Sequence, residues 1–330
     1  MPDEKYIPPY SITDATIALI AEIGEIIGSI STKNGLDVNP RLRRDNRIRT
    51  IHASLAIENN SLSLEQVTDV VNGRRVLGSP DEIREVKNAY EAYDLLLTFD
   101  PYSISDLLTA HKILMIDLTK EAGCLRSGGV GIFAGEQLVH MAPSATVIPE
   151  LLENLFSWAR EADVHPLIKS CVFHYEFEFI HPFEDGNGRM GRMWQTLLLY
   201  KWKPIFAWLP VESIIRERQQ AYYDTLGACD KAADSGAFIE FVLCAIRDTL
   251  RELVTTEQVT VQVTEQVERL LAALGVNELT SRELMDKLSL KHRPSFRSNY
   301  LLPALDLGLI EMTVPDKPSS SKQRYRMKRV

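Results

Sequence analysis

The 330-residue chain has no apolar run approaching the roughly 18 residues that a membrane span needs. Its start, Met1-Pro2-Asp3-Glu4-Lys5, lacks the basic-then-apolar shape of a secretory leader. Cysteine is scarce: Cys124, Cys171, Cys229 and Cys244 are scattered, with no metal-binding spacing. These absences argue against a helical membrane protein and against a disulfide-stapled secreted domain. They leave the expectation of a cytoplasmic chain that makes no membrane contact, with reduced, mostly core cysteines. A hydrophobic content of 45% is ordinary for a soluble protein with a real core, and the length allows two or three domains.

Charge is unevenly spread. From Val276 to Val330 eleven Lys and Arg face six Asp and Glu, a net +5, so the remainder carries −13 of the total −8. An acidic body with a basic tail hints at an anionic partner for the tail.

Most of the first 255 residues read as helices. Ile17, Ile20, Ile23, Ile26, Ile27 and Ile30 form a helical stripe after Thr13/Asp14. Asn39-Pro40 predicts a capped second helix ending near Asn59-Asn60, and Ser63-Leu64-Glu65-Gln66 reads as a capping box closed by Gly73. Further helices are expected from Pro80 to about Phe99, from Ser103 or Ser105, after Pro149, and over His165–Phe179, Gly188–Lys201, Glu212–Asp230 and Ser235–Leu253. Residues 123–143 break this pattern and predict a β-hairpin turning near Ala134-Gly135-Glu136. Thr255–Val267, with Thr-Glu-Gln-Val twice, is either a linker or the start of a helix. Helices near Ser281–Leu288 and Pro294–Leu307 follow. Two strands, Leu309–Met312 and Gln323–Arg326, are joined by a polar loop over Pro315–Lys322, an order that resembles a winged helix domain.

The chemistry concentrates in His181-Pro182-Phe183-Glu184-Asp185-Gly186-Asn187-Gly188-Arg189-Met190-Gly191-Arg192. An imidazole can take the proton of an attacking hydroxyl, whose own pKa is too high for attack at neutral pH. Asp185 offers a hard oxygen to Mg²⁺, and the same residue suits a turn before Gly186. Gly186, Asn187 and Gly188 let backbone N–H groups approach an anion at a helix start. Arg189 and Arg192, three apart, share a helix face and can fork onto phosphate oxygens. Phe183 reads as an anchor under the loop, and His111 and His174 as core histidines.

The run H-P-F-x-D-G-N-G-R-x-x-R resembles the Fic family, whose members mostly transfer AMP from ATP to a protein hydroxyl. The resemblance spans about residues 40 to 250. It implies a mainly α fold: a Fic-type helical bundle with one β-hairpin flap, followed here by the small winged helix domain. It also implies His181 as general base, Asp185 on Mg²⁺, and an ATP site made by Glu58, His181, Gly186, Asn187, Gly188, Arg189, Met190, Gly191 and Arg192, with Arg192 on the γ-phosphate. Tyr222 and Tyr223 match a family Tyr pair that holds adenosine, although Asp230 stands where some relatives carry Asn. The hairpin corresponds to the family's flap, with Val130, Gly131, Ile132 and Phe133 as the edge on which an unknown target protein would dock. Ser54-Leu55-Ala56-Ile57-Glu58-Asn59-Asn60 matches a second family motif, S/T-x-x-x-E-G/N-N, whose Glu58 would be inhibitory by competing for Arg192. Such a pair at about 4 Å and an effective dielectric of 20 is worth roughly 4 kcal/mol before desolvation.

The expected organisation is an N-terminal helical region with the inhibitory motif over 1–105, a Fic core over 106–255, and a linker with the winged helix over 256–330. Two alternatives to AMP transfer stay open. The same residues could remove AMP from a modified protein. The chain could instead be a DNA-binding regulator, with Arg293, Arg297, Lys317, Lys322, Arg324 and Arg326 toward phosphates. Protein contacts or a homodimer through that domain are a further reading.

Overall fold

The computed structural model describes residues 6–31, 40–129, 131–134, 137–260, 265–275, 277–306, 308–315, 320 and 323–328. Two compact units divide between Glu252 and Leu253. The region expected as 1–105 lies within the first unit, and the one expected as 106–255 overruns its end by three residues.

The first unit runs α1 (Asp14–Ser31), α2 (Pro40–Ile57), α3 (Leu64–Val71), α4 (Pro80–Asp94), α5 (Ile104–Met115), the strands β1 (Gly131–Ala134) and β2 (Gln137–Met141), then α6 (Ile148–Glu161), α7 (Pro166–Ile180), α8 (Asn187–Trp202), α9 (Val211–Glu217), α10 (Gln219–Ala232) and the larger part of α11 (Gly236–Thr260), which continues past the boundary. The fold is mainly helical with one hairpin. Ser63 and Gln66 form the capping box of α3, and Gly73 beyond it has a φ of +72°. In α1 the stripe narrows, since Ile23, Ile27 and Ile30 are buried while Ile17 is exposed. The hairpin is antiparallel, pairing Gly131 with Met141 and Ala134 with Gln137, with a bulge between Ile132 and Phe133. Gly135 and Glu136 of the expected turn, Val130 of the expected flap edge and the Asn39 cap lie outside the described residues.

Helices α7 and α8 form the centre. Nearly every α7 side chain is buried, as befits a helix surrounded by others. The single helix expected over Glu212–Asp230 is two. The backbone leaves helical geometry at Arg218 (φ −111°, ψ 29°), whose guanidinium is tied to Asp248 on α11 at 2.7 Å. That break frees α9 to pack on α2. Among the described residues no helix is long and apolar enough to cross a membrane, and all four cysteines are unpaired.

The second unit contains α12 (Glu265–Leu274), α13 (Ser281–Lys287), α14 (Arg293–Phe296), α15 (Leu302–Asp306) and an antiparallel pair, β3 (Ile310–Met312) with β4 (Tyr325–Met327). Its core joins Val267, Leu270, Leu274, Leu284, Phe296, Tyr300 and Ile310. The ambiguous stretch after Thr255 is helical to Thr260 and again from Glu265; residues 261–264 are outside the described set. The helix expected over Pro294–Leu307 widens into a π turn over Arg297–Leu301. Pro303 has no N–H to close a normal α-helical turn there. Arg326 pairs with Glu311 at 2.7 Å and with Glu278 at 3.0 Å, and Arg324 lies 3.7 Å from Glu283. Two of the basic residues expected to face phosphate are therefore matched by carboxylates. Lys317 and Lys322 lie outside the described residues.

Candidate active site

Helix α7 ends at Ile180 because His181 turns left-handed (φ 50°, ψ 62°), while its N–H still reaches the Phe177 carbonyl at 3.0 Å. A non-glycine residue takes that conformation only at a cost and needs its neighbours to hold it. The His181 Nδ1 lies 3.3 Å from the Glu178 carbonyl. A carbonyl only accepts, so that contact puts the hydrogen on Nδ1 and makes Nε2 the basic nitrogen of the neutral ring.

The loop after His181 is clamped from within. The Asn187 side chain accepts from the Phe183 N–H and donates to the Phe183 carbonyl, each at 2.9 Å, and is buried. In the Gly-Asn-Gly run the asparagine side chain thus closes the loop, and only its backbone is left for an anion. Gly186 has a φ of +84°, and a Cβ there would lie 2.7 Å from the Met115 sulfur, so both backbone and space demand glycine. Phe183 is fully buried and stacks on His111 at 3.6 Å, as an anchor would. His111 does more than fill core. Its Nδ1 accepts from the Gly123 N–H at 2.9 Å, so Nε2 carries the hydrogen and donates to the Asp185 carbonyl at 3.0 Å. Burial pushes its pKa down to about 4, which keeps the ring neutral.

The two arginines diverge despite their spacing. Arg189 forks between Glu85 on α4 (2.8 Å) and Asp185 (2.9 Å), and is 5% exposed. Asp185 also accepts from the Gly186 N–H at 2.5 Å, while its side chain remains 61% exposed. Arg192 is 2% exposed and turns to α2: its Nε donates to the Ser54 hydroxyl at 3.1 Å, and one Nη donates to the Ser54 carbonyl at 3.0 Å and to Glu58 at 2.8 Å. Burial would lower the Arg192 pKa, but Glu58, Tyr222 and Glu178 outweigh it and raise it. A Cβ at Gly188 would collide with the Glu58 carboxylate, and one at Gly191 would lie 2.7 Å from Glu178. Met190 is buried.

Glu58 follows α2 in a tight turn, with Asn59 left-handed (φ 69°). Asn60 closes that turn by accepting from the Leu62 N–H at 3.1 Å, and its Nδ2 donates to Glu85 at 2.7 Å. A chain of polar contacts therefore runs Asn60–Glu85–Arg189–Asp185, joining the two motifs. Glu85 carries no motif signal of its own.

The Tyr pair splits. Tyr222 is 1% exposed and its hydroxyl lies 3.2 Å from His174 Nε2, within a buried cluster that also holds Gln195 and Glu178. Tyr223 is 41% exposed and donates to the Ile57 carbonyl at 3.3 Å, one residue before Glu58. One ring of the pair, not two, opens to solvent. Asp230 accepts from the Tyr175 hydroxyl at 2.7 Å.

Residues 101–199 match the Fic/DOC family, and residues 265–328 match the family described as filamentation induced by cAMP protein Fic-like, C-terminal domain. A solved structure of a Fic family protein from Desulfovibrio desulfuricans G20 is 56% identical, with a TM-score of 0.75 and coverage of 98% of both chains. The chain belongs to the Fic family. Among curated relatives, protein adenylyltransferase Fic of Aedes aegypti is 27% identical over 228 residues, which is 65% of this chain and 44% of that protein. Protein adenylyltransferase fic-1 of Caenorhabditis elegans is 26% identical over 218 residues, 61% of this chain and 40% of the relative. The Fic chain thus spans less than half the length of these relatives. A solved structure of Fic-1 (aa134 - 508) from Caenorhabditis elegans shares the fold, with a TM-score of 0.60 at 21% identity over 74% of this chain and 72% of that one.

Proposed function

We propose that this Fic protein moves AMP from ATP to a Ser, Thr or Tyr hydroxyl of target proteins and is held off by Glu58. The observation that carries this reading is the 2.8 Å pair between Glu58 and the buried Arg192, beside the His181 loop. The hydroxyl oxygen attacks the α-phosphorus, the bond from that phosphorus to the pyrophosphate oxygen breaks, and the hydroxyl proton passes to His181 Nε2. Backbone N–H groups of Gly186, Asn187 and Gly188 at the start of α8 face the phosphates. Arg192 takes the γ-phosphate once Glu58 releases it. Met190 and Gly191 line the helix beside it, and Tyr223 lies against the adenosine, with Tyr222 supporting it from behind.

Among the described residues no group of three or more His, Cys, Asp or Glu is arranged to hold a metal ion. The single, largely exposed Asp185 carboxylate fits a Mg²⁺ that takes its remaining ligands from phosphate and water. When bound, the ion would neutralise charge on the phosphates. Arg189 keeps Asp185 oriented. The hairpin, with Gly131, Ile132 and Phe133, would pair with an extended target segment and hold its hydroxyl in line. For the second unit, the Arg324 and Arg326 ion pairs favour a protein contact, such as with a second copy, over DNA.

The test is labelling with α-³²P-ATP and Mg²⁺, alone and in lysate, using wild type, Glu58→Gly and Glu58→Gly/His181→Ala. Label with Glu58→Gly, little with wild type and none with the double variant is expected. No label in any of the three sinks the reading. Release of AMP from a pre-labelled protein by wild type would instead make removal the main activity.

A further inference from the structure

Arg126 belongs to no motif, yet it touches both halves of the site. It is 3% exposed. Its Nε donates to the His181 carbonyl at 2.7 Å, one Nη to the Gly128 carbonyl at 2.7 Å, and the other to the Pro143 carbonyl at 2.6 Å and the Ile180 carbonyl at 3.4 Å. Its own backbone N–H donates to the Pro182 carbonyl at 3.0 Å. The acceptors found for the guanidinium are backbone carbonyls, so this planar fork holds positions of the chain and not a partner's charge.

The four carbonyls fall into two pairs. Ile180 and His181 stand at the C-terminal end of α7, where carbonyls have no intrahelical donor and a cation is favoured. Gly128 and Pro143 stand at the two feet of the β1–β2 hairpin. One rigid group thus sets where the hairpin begins and ends relative to the His181 backbone. It also helps hold His181 in its left-handed conformation, with the Arg126 N–H fixing the next peptide.

We propose that Arg126 is a positioning residue that sets the register between His181 and the hairpin, so that a hydroxyl presented by the hairpin meets the imidazole. This rests on the transfer reading above. Arg126 touches no reacting atom in this account. A misplacement of the base or the hairpin by about 1 Å can lower the rate on the order of 10²-fold, while ATP, bound elsewhere on the loop, is still held.

The experiment uses the full chain carrying Glu58→Gly, with Arg126→Lys and Arg126→Gln added singly. It measures self-labelling with α-³²P-ATP, binding of ATP with Mg²⁺ by equilibrium dialysis, and backbone amide exchange. The expected result is a fall in maximal labelling rate of roughly 10- to 100-fold with ATP affinity changed by less than about threefold. Amide exchange should speed up at residues 131–134, 137–141, 181 and 183 and stay unchanged in α8. Lysine, which keeps the charge but not the fork, should recover part of what glutamine loses. Unchanged exchange at the hairpin, or equal losses of ATP binding and of rate, would overturn the proposal. If Arg126→Gln does not fold, the Arg126→Lys variant decides by the same criteria. If the Glu58→Gly parent shows no labelling, the transfer reading fails, and the exchange data still decide whether Arg126 couples hairpin and loop.

Discussion

Replacing Glu58 in steps should release Arg192 in steps. At 2.8 Å and an effective dielectric of about 20, the gross attraction is roughly 6 kcal/mol. Little of that survives as net energy. The Glu58 side chain is 31% exposed, so water and salt screen it, and Arg192 has already lost its hydration. A hydrogen bond to a charged group nets about 1.5–3 kcal/mol, which is roughly a 10- to 150-fold change in the fraction of molecules with Arg192 available. Glu58→Gly should raise the labelling rate by that factor at ATP concentrations below saturation. Glu58→Gln keeps an acceptor oxygen but no charge and should give about half the energy, roughly 3- to 12-fold. Raising salt should slow Glu58→Gly more than the wild type, because in the wild type weaker ATP capture is partly offset by a weaker Glu58–Arg192 pair. The assay is initial transfer from α-³²P-ATP at fixed Mg²⁺. A Glu58→Gly rate within about twofold of wild type would refute the electrostatic argument, because the ion pair would then hold nothing back.

Other outcomes follow from the same contacts. Glu85→Gln removes one of the two carboxylates on the buried Arg189, which should pull Arg189 onto Asp185; the Mg²⁺ concentration for half-maximal labelling should rise several-fold, on the order of 1 kcal/mol, and the thermal midpoint should fall because a buried guanidinium loses a charge partner. Asn187→Ala unties both Phe183 backbone groups and should cost about 2–4 kcal/mol by urea unfolding, with labelling falling further than stability explains. Gly191→Ala drives a methyl against Glu178 and His174 and should cost about 1–3 kcal/mol by the same measurement. His111, held neutral with a pKa of about 4, is protonated in the unfolded chain below its ordinary 6.5. The unfolded state therefore binds the extra proton between those values. Stability from this residue is present above pH 6.5 and is lost, on the order of 3 kcal/mol, as pH falls toward 4. A stability–pH curve whose slope from pH 6.5 to 4 is the same in His111→Gln would count against that account.

What could be read from the chain alone divides by the kind of partner each residue serves. Helices with apolar stripes and side-chain caps, such as α3 with Ser63 and Gln66, depend on neighbours a few residues away, and their pattern is visible in the order of residues. The His181 loop was legible for the same reason, as was the family to which it points. The break at Arg218 was not, because it depends on Asp248 and on the packing of α9 against α2. Nor was the divergence of Arg189 from Arg192. Spacing of three puts their Cβ atoms on one face, but long side chains go where carboxylates wait, and Glu85 comes from α4 while Glu58 comes from the turn after α2.

The roles that escaped notice share a property: they bind main chain. His111 holds the Asp185 carbonyl, Asn187 holds Phe183, and Arg126 holds four carbonyls from two segments. Every residue carries the same carbonyl, so no sequence pattern marks the acceptor. Yet a loop that must keep a left-handed histidine and a left-handed glycine within six residues needs such clamps, since neither conformation is held by an α-helical ladder. A buried histidine, asparagine or arginine near a motif of this kind is therefore better read as a claim on nearby backbone than as filler. That expectation could have been drawn from the motif's own strain before any side-chain contact was known.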